Sequence, residues 1–304
     1  MRRYLASCLA ICGFFAPLHT QMILAETVNV GVAFQESSTL HPPQRIVSTS
    51  PGITEIVFAL GQGDQLVGVT TFCVYPPEAL TKPKIGGFSS PSLEAIMRQR
   101  PDLVILVEGR TKLEQPLNAL NIPTLTTRSR GLDVIYETIQ AVAHELKIPA
   151  QGQLLVSHIK EELQEFGNSI SRSTRPRILL LVGRTPGALT DLHSVGGESY
   201  IGELIELAGG LNVLSDSPVP YPRISLEEVL SRNPEIIVDM THGDAPTQAE
   251  VQAIQKLWAR FPSIDAVGRE RVYIVTQKLF VVPGPRVVEA VRALYELIHF
   301  GERP

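Results

Sequence analysis

With 304 residues, 44% of them apolar and 19% charged, the chain is long enough for two packed cores and too apolar to be disordered. A formal net charge of −4 argues against a nucleic-acid binder, which needs a basic footprint. The sequence holds no Gly-x-Ser-x-Gly elbow, Walker loop, Gly-x-Gly-x-x-Gly or His-Glu-x-x-His, so it offers no positive sign of an enzyme.

Residues 1–25 read as a secretory signal peptide. Arg2 and Arg3 form the positive start, Leu5 to Leu18 is mostly apolar, and a cut follows Ala25. Pro17 and His19 break the run, which is short for a membrane span. Leu5-Ala6-Ser7-Cys8 imitates a lipidation box but precedes the apolar stretch it would need. Cys8 and Cys12 leave with this segment. Cys73 then stands alone, so an exported protein must hold together without an internal disulfide.

The first lobe spans 26–148. After an irregular lead-in, Arg45 to Ser48 is a strand, Ser50-Pro51-Gly52 a turn, and Thr54 to Leu60 a helix stopped by Gly61. Gln65 to Thr70 is the next strand, and it runs into a loop rich in aromatic residues and proline, Thr71 to Glu78. Strands at 103–107 and 124–127 and helices ending near Leu120 and Leu146 follow. That alternation means α/β with a largely parallel sheet.

A linking helix over 149–172 is predicted from Leu154, Leu155, Ile159, Leu163 and Phe166, with no turn signal before Gly167. About 20 residues of helix span roughly 30 Å, a stiff connector that predicts little motion between lobes. The second lobe, 173–304, repeats the pattern: a strand from Arg177, a helix to Ala208, a strand at 271–276 and a closing helix from Arg286 to Phe300. The expected fold is therefore two α/β lobes, each a mostly parallel sheet flanked by helices, joined by one long rigid helix.

One unit occurs twice. Ser92-Leu-Glu to Ile105 and Ser225-Leu-Glu to Val238 align without a gap and share Ser, Leu, Glu and Pro at the same offsets. Each reads as a Ser cap, a short helix stopped by Pro, and a buried strand. Glu228 completes a predicted capping box with Ser225; Ala95 rules one out in the first copy.

The remaining signal is aromatic. Phe72, Tyr75 and Phe88 fall in loops of the first lobe, and Tyr221 and Phe280 in loops of the second, each close to Pro or Gly. A single loop aromatic often plugs the end of a core. Five shared between two lobes favour a cleft lined for a large, flat ligand.

These features, with Tyr75-Pro-Pro-Glu78, Val219-Pro-Tyr-Pro222 and the Pro285-Arg286 helix, resemble the periplasmic substrate-binding proteins of ABC importers. The likeness is to the subgroup carrying cobalamin, haem and ferric siderophores, and within it to cobalamin binders. It implies a periplasmic, non-enzymatic monomer with no cofactor of its own. Its cargo would be a cobalt or iron complex, and its partners the importer's membrane subunits. It also implies that Phe72, Phe88, Tyr221 and Phe280 touch ligand. Glu94 and Glu227 would dock to importer arginines, although the helix dipole alone accounts for a Glu in a first turn. Val107 and Leu279 stand where cobalamin binders carry further aromatics, which keeps haem and siderophores open. On the haem alternative, Tyr75, Tyr221, His193 and His242 are the candidate iron ligands. A rival reading is a secreted metal-dependent hydrolase built on Glu108, Asp239 and His242.

Overall fold

The structure, a computed structural model, describes residues 41–128, 131–170, 175–241, 245–276 and 278–301. The signal peptide and His242 lie outside the described residues. In the first lobe the elements are β1 (Ile46–Ser48), α1 (Pro51–Ala59), β2 (Leu66–Val69), α2 (Leu93–Arg98), β3 (Leu103–Val107), α3 (Glu114–Ala119), β4 (Thr124–Thr127) and α4 (Asp133–Glu145). The four strands form an all-parallel sheet in the order β2-β1-β3-β4. Ser50 to Gly52 is not a turn. Ser50 caps α1 by accepting from the Ile53 N–H, and Pro51 takes the first helical position, where its missing N–H costs nothing.

The helix α5 (Pro149–Ser169) follows, 21 residues long. Beyond it come β5 (Arg177–Gly183), β6 (Leu192–Ser194), α6 (Tyr200–Leu207), β7 (Leu211–Asn212), β8 (Arg223–Ile224), α7 (Leu226–Arg232), β9 (Ile236–Thr241), α8 (Gln248–Trp258), α9 (Asp265–Gly268), β10 (Val272–Thr276) and α10 (Val287–Phe300). The second sheet is mixed. Its order is β10-β9-β5-β6-β8, with β10, β9 and β5 parallel, β6 and β8 antiparallel, and β7 pairing β5. The short strands β6 to β8 escape a reading by periodicity because two or three residues carry none.

Strand pleating sorts the apolar residues. Leu103, Ile105, Ile178, Leu180, Ile236 and Val238 join one core that runs through both lobes together with α1, α4, α5, α6 and α10. Their neighbours point the other way: Val104 and Leu106 into a separate core of the first lobe, Leu179, Leu181 and Ile237 into one of the second. Both sheets are thus covered on both faces, as parallel strands require.

The repeat holds in three dimensions. Ser92 accepts from Ala95 N and Ser225 from Glu228 N. Both copies end in a left-handed residue just before proline, Arg100 (φ 47°) and Asn233 (φ 40°). The acid that follows each proline binds the start of its lobe's first strand: Asp102 accepts from the Gln44 and Arg45 N–H groups at 2.8 Å, Glu235 from the Arg177 N–H at 2.9 Å. In return, the Arg45 guanidinium donates to the Gln99 and Arg100 carbonyls, and that of Arg177 to the Asn233 carbonyl. Each lobe carries the same two-way latch. The capping box expected at Ser225 is not closed. Glu228 turns to Arg232 one helical turn on, at 3.0 Å, and a box forms instead at Thr247 and Glu250 of α8.

Candidate functional site

The C-terminal ends of β1 to β5 open onto a cleft of about 770 Å³ between the lobes. This is the edge where open α/β sheets place their ligands. Its floor is the start of α1, with Gly52, Ile53 and Ile56. Phe72 and Phe88 form the first-lobe side, while Tyr221 and the 281–283 segment form the other. Phe72 is 61% exposed and Tyr221 43%. Bare aromatic surface of this extent in a concave site is what a large apolar ligand covers.

Two cations edge the cavity. The Arg110 guanidinium lies 5.5 Å from the Phe88 ring centre, and Arg128 stands 3.6 Å from Glu137. Burial raises the Tyr221 hydroxyl above its ordinary pKa, and the nearby Arg110 charge draws it back down. Arg110 therefore reaches the second-lobe wall electrostatically from the first. A buried hydroxyl network supports the floor: Thr54 donates to Ser48 at 2.8 Å, and the Cys73 sulfur lies 3.1 Å from the Thr54 hydroxyl and 3.2 Å from that of Thr70. Cys73, next to Phe72 in the same loop, is wholly buried in this network.

Two of the five aromatics lie elsewhere. Tyr75 faces away from the cleft, into a separate depression of about 600 Å³ bounded by α1, α5 and the start of α10, where its ring stacks on Arg286 at 3.9 Å. Phe280 is 1% exposed and belongs to the core; Val281, Val282 and Pro283 take the wall position expected of it. A ring between apolar neighbours and Pro283-Gly284-Pro285 reads the same by sequence whether it turns in or out. Val107, where the resemblance implies an aromatic, does line the cleft. Leu279 instead packs against the core.

Asp239 of the rival reading is fully buried and already engaged. It accepts from Arg184 Nε at 2.8 Å and from the Trp258 indole N–H at 3.0 Å. Glu108 is exposed, as is His193, which pairs with Arg223 in the β6–β8 ladder. Among the described residues no three His, Cys, Asp or Glu side chains gather as a metal site.

Glu94 and Glu227 occupy the first turns of α2 and α7, and both are exposed. Glu94 faces Arg98 one turn on at 3.0 Å, a pair too solvated to contribute much. The Glu227 carboxyl is held below its usual range by its own backbone N–H and the Ser225 hydroxyl.

Two α/β lobes, one with a parallel and one with a mixed sheet, a single long helix between them and an aromatic cleft at the strand ends describe a solute-capturing protein. The chain belongs to the periplasmic binding protein family, which it matches over residues 46–279. The vitamin B12-binding protein of Vibrio cholerae is 26% identical over 86% of this chain and 91% of that protein. That of Photorhabdus laumondii is 27% identical over 84% and 88%. Among solved structures, the periplasmic vitamin B12 binding protein of Vibrio cholerae superposes with a TM-score of 0.71 at 25% identity, covering 87% of this chain and all of that one. The periplasmic heme-binding protein of Roseiflexus sp. gives 0.70 at 26% identity, covering 83% of this chain and 98% of that one.

Proposed function

We propose that the chain captures cobalamin or a related corrinoid between its lobes and delivers it, in the periplasm, to the membrane subunits of an ABC importer, without catalysing a reaction. The observation that carries this reading is the cleft: about 770 Å³, with Phe72 and Phe88 facing Tyr221 across it. Its likeness to vitamin B12-binding proteins, over more than four fifths of the chain, supports the ligand class. The mature chain titrated with cobalamin should bind more tightly than micromolar, about −8 kcal/mol. Replacing Phe72 and Tyr221 together by Ala should weaken that at least about 100-fold, since exposed rings of this kind act as anchors. Failure of cobalamin, haem and a ferric siderophore alike to bind at micromolar concentration would end the reading.

Haem is the second reading, supported by the likeness to the periplasmic heme-binding protein of Roseiflexus sp.. Tyr221 would have to ionise to hold ferric iron, and burial raises its hydroxyl above the ordinary pKa despite the nearby Arg110 charge. The absorption spectrum of the loaded protein separates the two, because a Tyr-ligated haem and a corrinoid absorb differently.

For delivery we propose Glu94 and Glu227 as the docking pair, one on each lobe at equivalent positions of the repeat. Glu94→Ala combined with Glu227→Ala should abolish uptake of labelled ligand by cells and leave ligand affinity unchanged. A fall in affinity would show the pair to be misassigned.

A further inference from the structure

We propose that Arg286 is a positioning residue for ligand capture, joining three cleft-lining segments from both lobes into one fixed floor. The proposal rests on the cleft being the ligand site. Glu55, on α1 of the first lobe, is 4% exposed, and its two carboxylate oxygens accept from Arg286 Nε at 2.9 Å and Nη2 at 2.6 Å. The partners are 231 residues apart, and the pair crosses from one lobe to the other. The flat face of the same guanidinium lies against the Tyr75 ring.

Each member belongs to a segment that also lines the cleft on its far side. The helix holding Glu55 presents Gly52, Ile53 and Ile56 to the cavity. The loop holding Tyr75 presents Phe72, and the segment ending at Arg286 presents Val281, Val282 and Pro283. The pair thus sits directly behind the ligand surface. Directly beneath the cleft the lobes meet backbone to backbone: a Cβ on Gly52 would lie 2.2 Å from the Pro283 carbonyl oxygen. A second tie lies elsewhere between the lobes, where Glu203 of α6 accepts from the Leu132 N–H at 3.1 Å, capping α4, which lacks a side-chain cap of its own.

Burial raises the pKa of Glu55, and Arg286 only partly offsets this, so the ionised pair is costly where it stands. Pairs of this kind are poor sources of stability, and geometric specificity is their better-attested use. Arginine suits the task because its planar fork meets a carboxylate at two points and stacks on a ring with the same plane, neither of which lysine does.

The test uses the full mature chain with spin labels at Lys112→Cys and Glu198→Cys, one exposed site on each lobe; Cys73 is buried. Distance distributions are recorded without ligand, and cobalamin affinity is measured by titration. Arg286→Lys and Tyr75→Leu should each broaden the distribution and weaken cobalamin at least about tenfold, while Tyr75→Phe, which keeps the ring, should match the parent in both. Tyr75→Leu alters a side chain already 42% exposed, so it guards against a variant that fails to fold. An unchanged distribution in Arg286→Lys and Tyr75→Leu overturns the proposal. So does a Tyr75→Phe variant as weak as Tyr75→Leu, because the hydroxyl and not the stack would then matter. If the parent takes up no cobalamin, the functional reading falls, and the distance distributions alone decide the role of Arg286.

Discussion

Arg184→Met is expected to cost about 3–5 kcal/mol of stability, read from urea unfolding, because it leaves the Asp239 carboxylate buried and uncompensated. Asp239 is wholly inaccessible, and its Oδ1 has no hydrogen-bond partner among the described residues. Among the described residues only the Trp258 indole would remain to hold its charge. The double variant Arg184→Met with Asp239→Leu should recover most of the loss, since neither charge is then stranded. The effect reaches the cleft. Arg184 also donates to the Thr185 and Ala188 carbonyls, which shapes the turn between β5 and β6. From that turn Asp191 binds Arg223, two residues after Tyr221. A loosened turn should therefore also weaken ligand binding. Full stability in the single variant would show that water replaces the arginine.

Gly52→Val is the second large effect. The added Cβ would lie 2.2 Å from a backbone oxygen, Pro283 O, so no rotamer change relieves it and one lobe must shift. Overpacking of this kind costs about 1–3 kcal/mol. Ligand binding should suffer more than stability, because Gly52 and Pro283 both line the cleft. Loss of cobalamin binding in a variant that still unfolds cooperatively is the expected result. Retained affinity would mean that the two lobes approach less closely in solution.

Much of this was legible from sequence wherever a property is local. The repeat foretold α2 with β3 and α7 with β9, since a Ser cap, a proline stop and an apolar run act within a dozen residues. The linking helix was legible from its apolar spacing over 20 residues, and Phe72, Phe88 and Tyr221 from their loops. What escaped is what distant segments decide together. Nothing beside Glu55 or Arg286 in the chain announces a partner 231 residues away, and Tyr75 read as a ligand contact because its stacking cation was out of sight. Arg110 stood in a loop with no motif around it. Phe280 shows the converse, a loop aromatic whose direction is set by the core it fills.

The paired latches also bear on how the chain reaches this state. Asp102 binds back to the Arg45 N–H across 57 residues, and Glu235 to the Arg177 N–H across 58. The entropy of closing a loop depends mainly on its length, so the two closures are equally demanding. Each lies wholly on its own side of α5 and needs nothing from the other. The two lobes thus carry matched closure steps, while the shared core, the Gly52–Pro283 approach, Glu55–Arg286 and Glu203–Leu132 tie one lobe to the other. Amide exchange is expected to show the β3 and β9 strands protected longest and the floor of the cleft opening first.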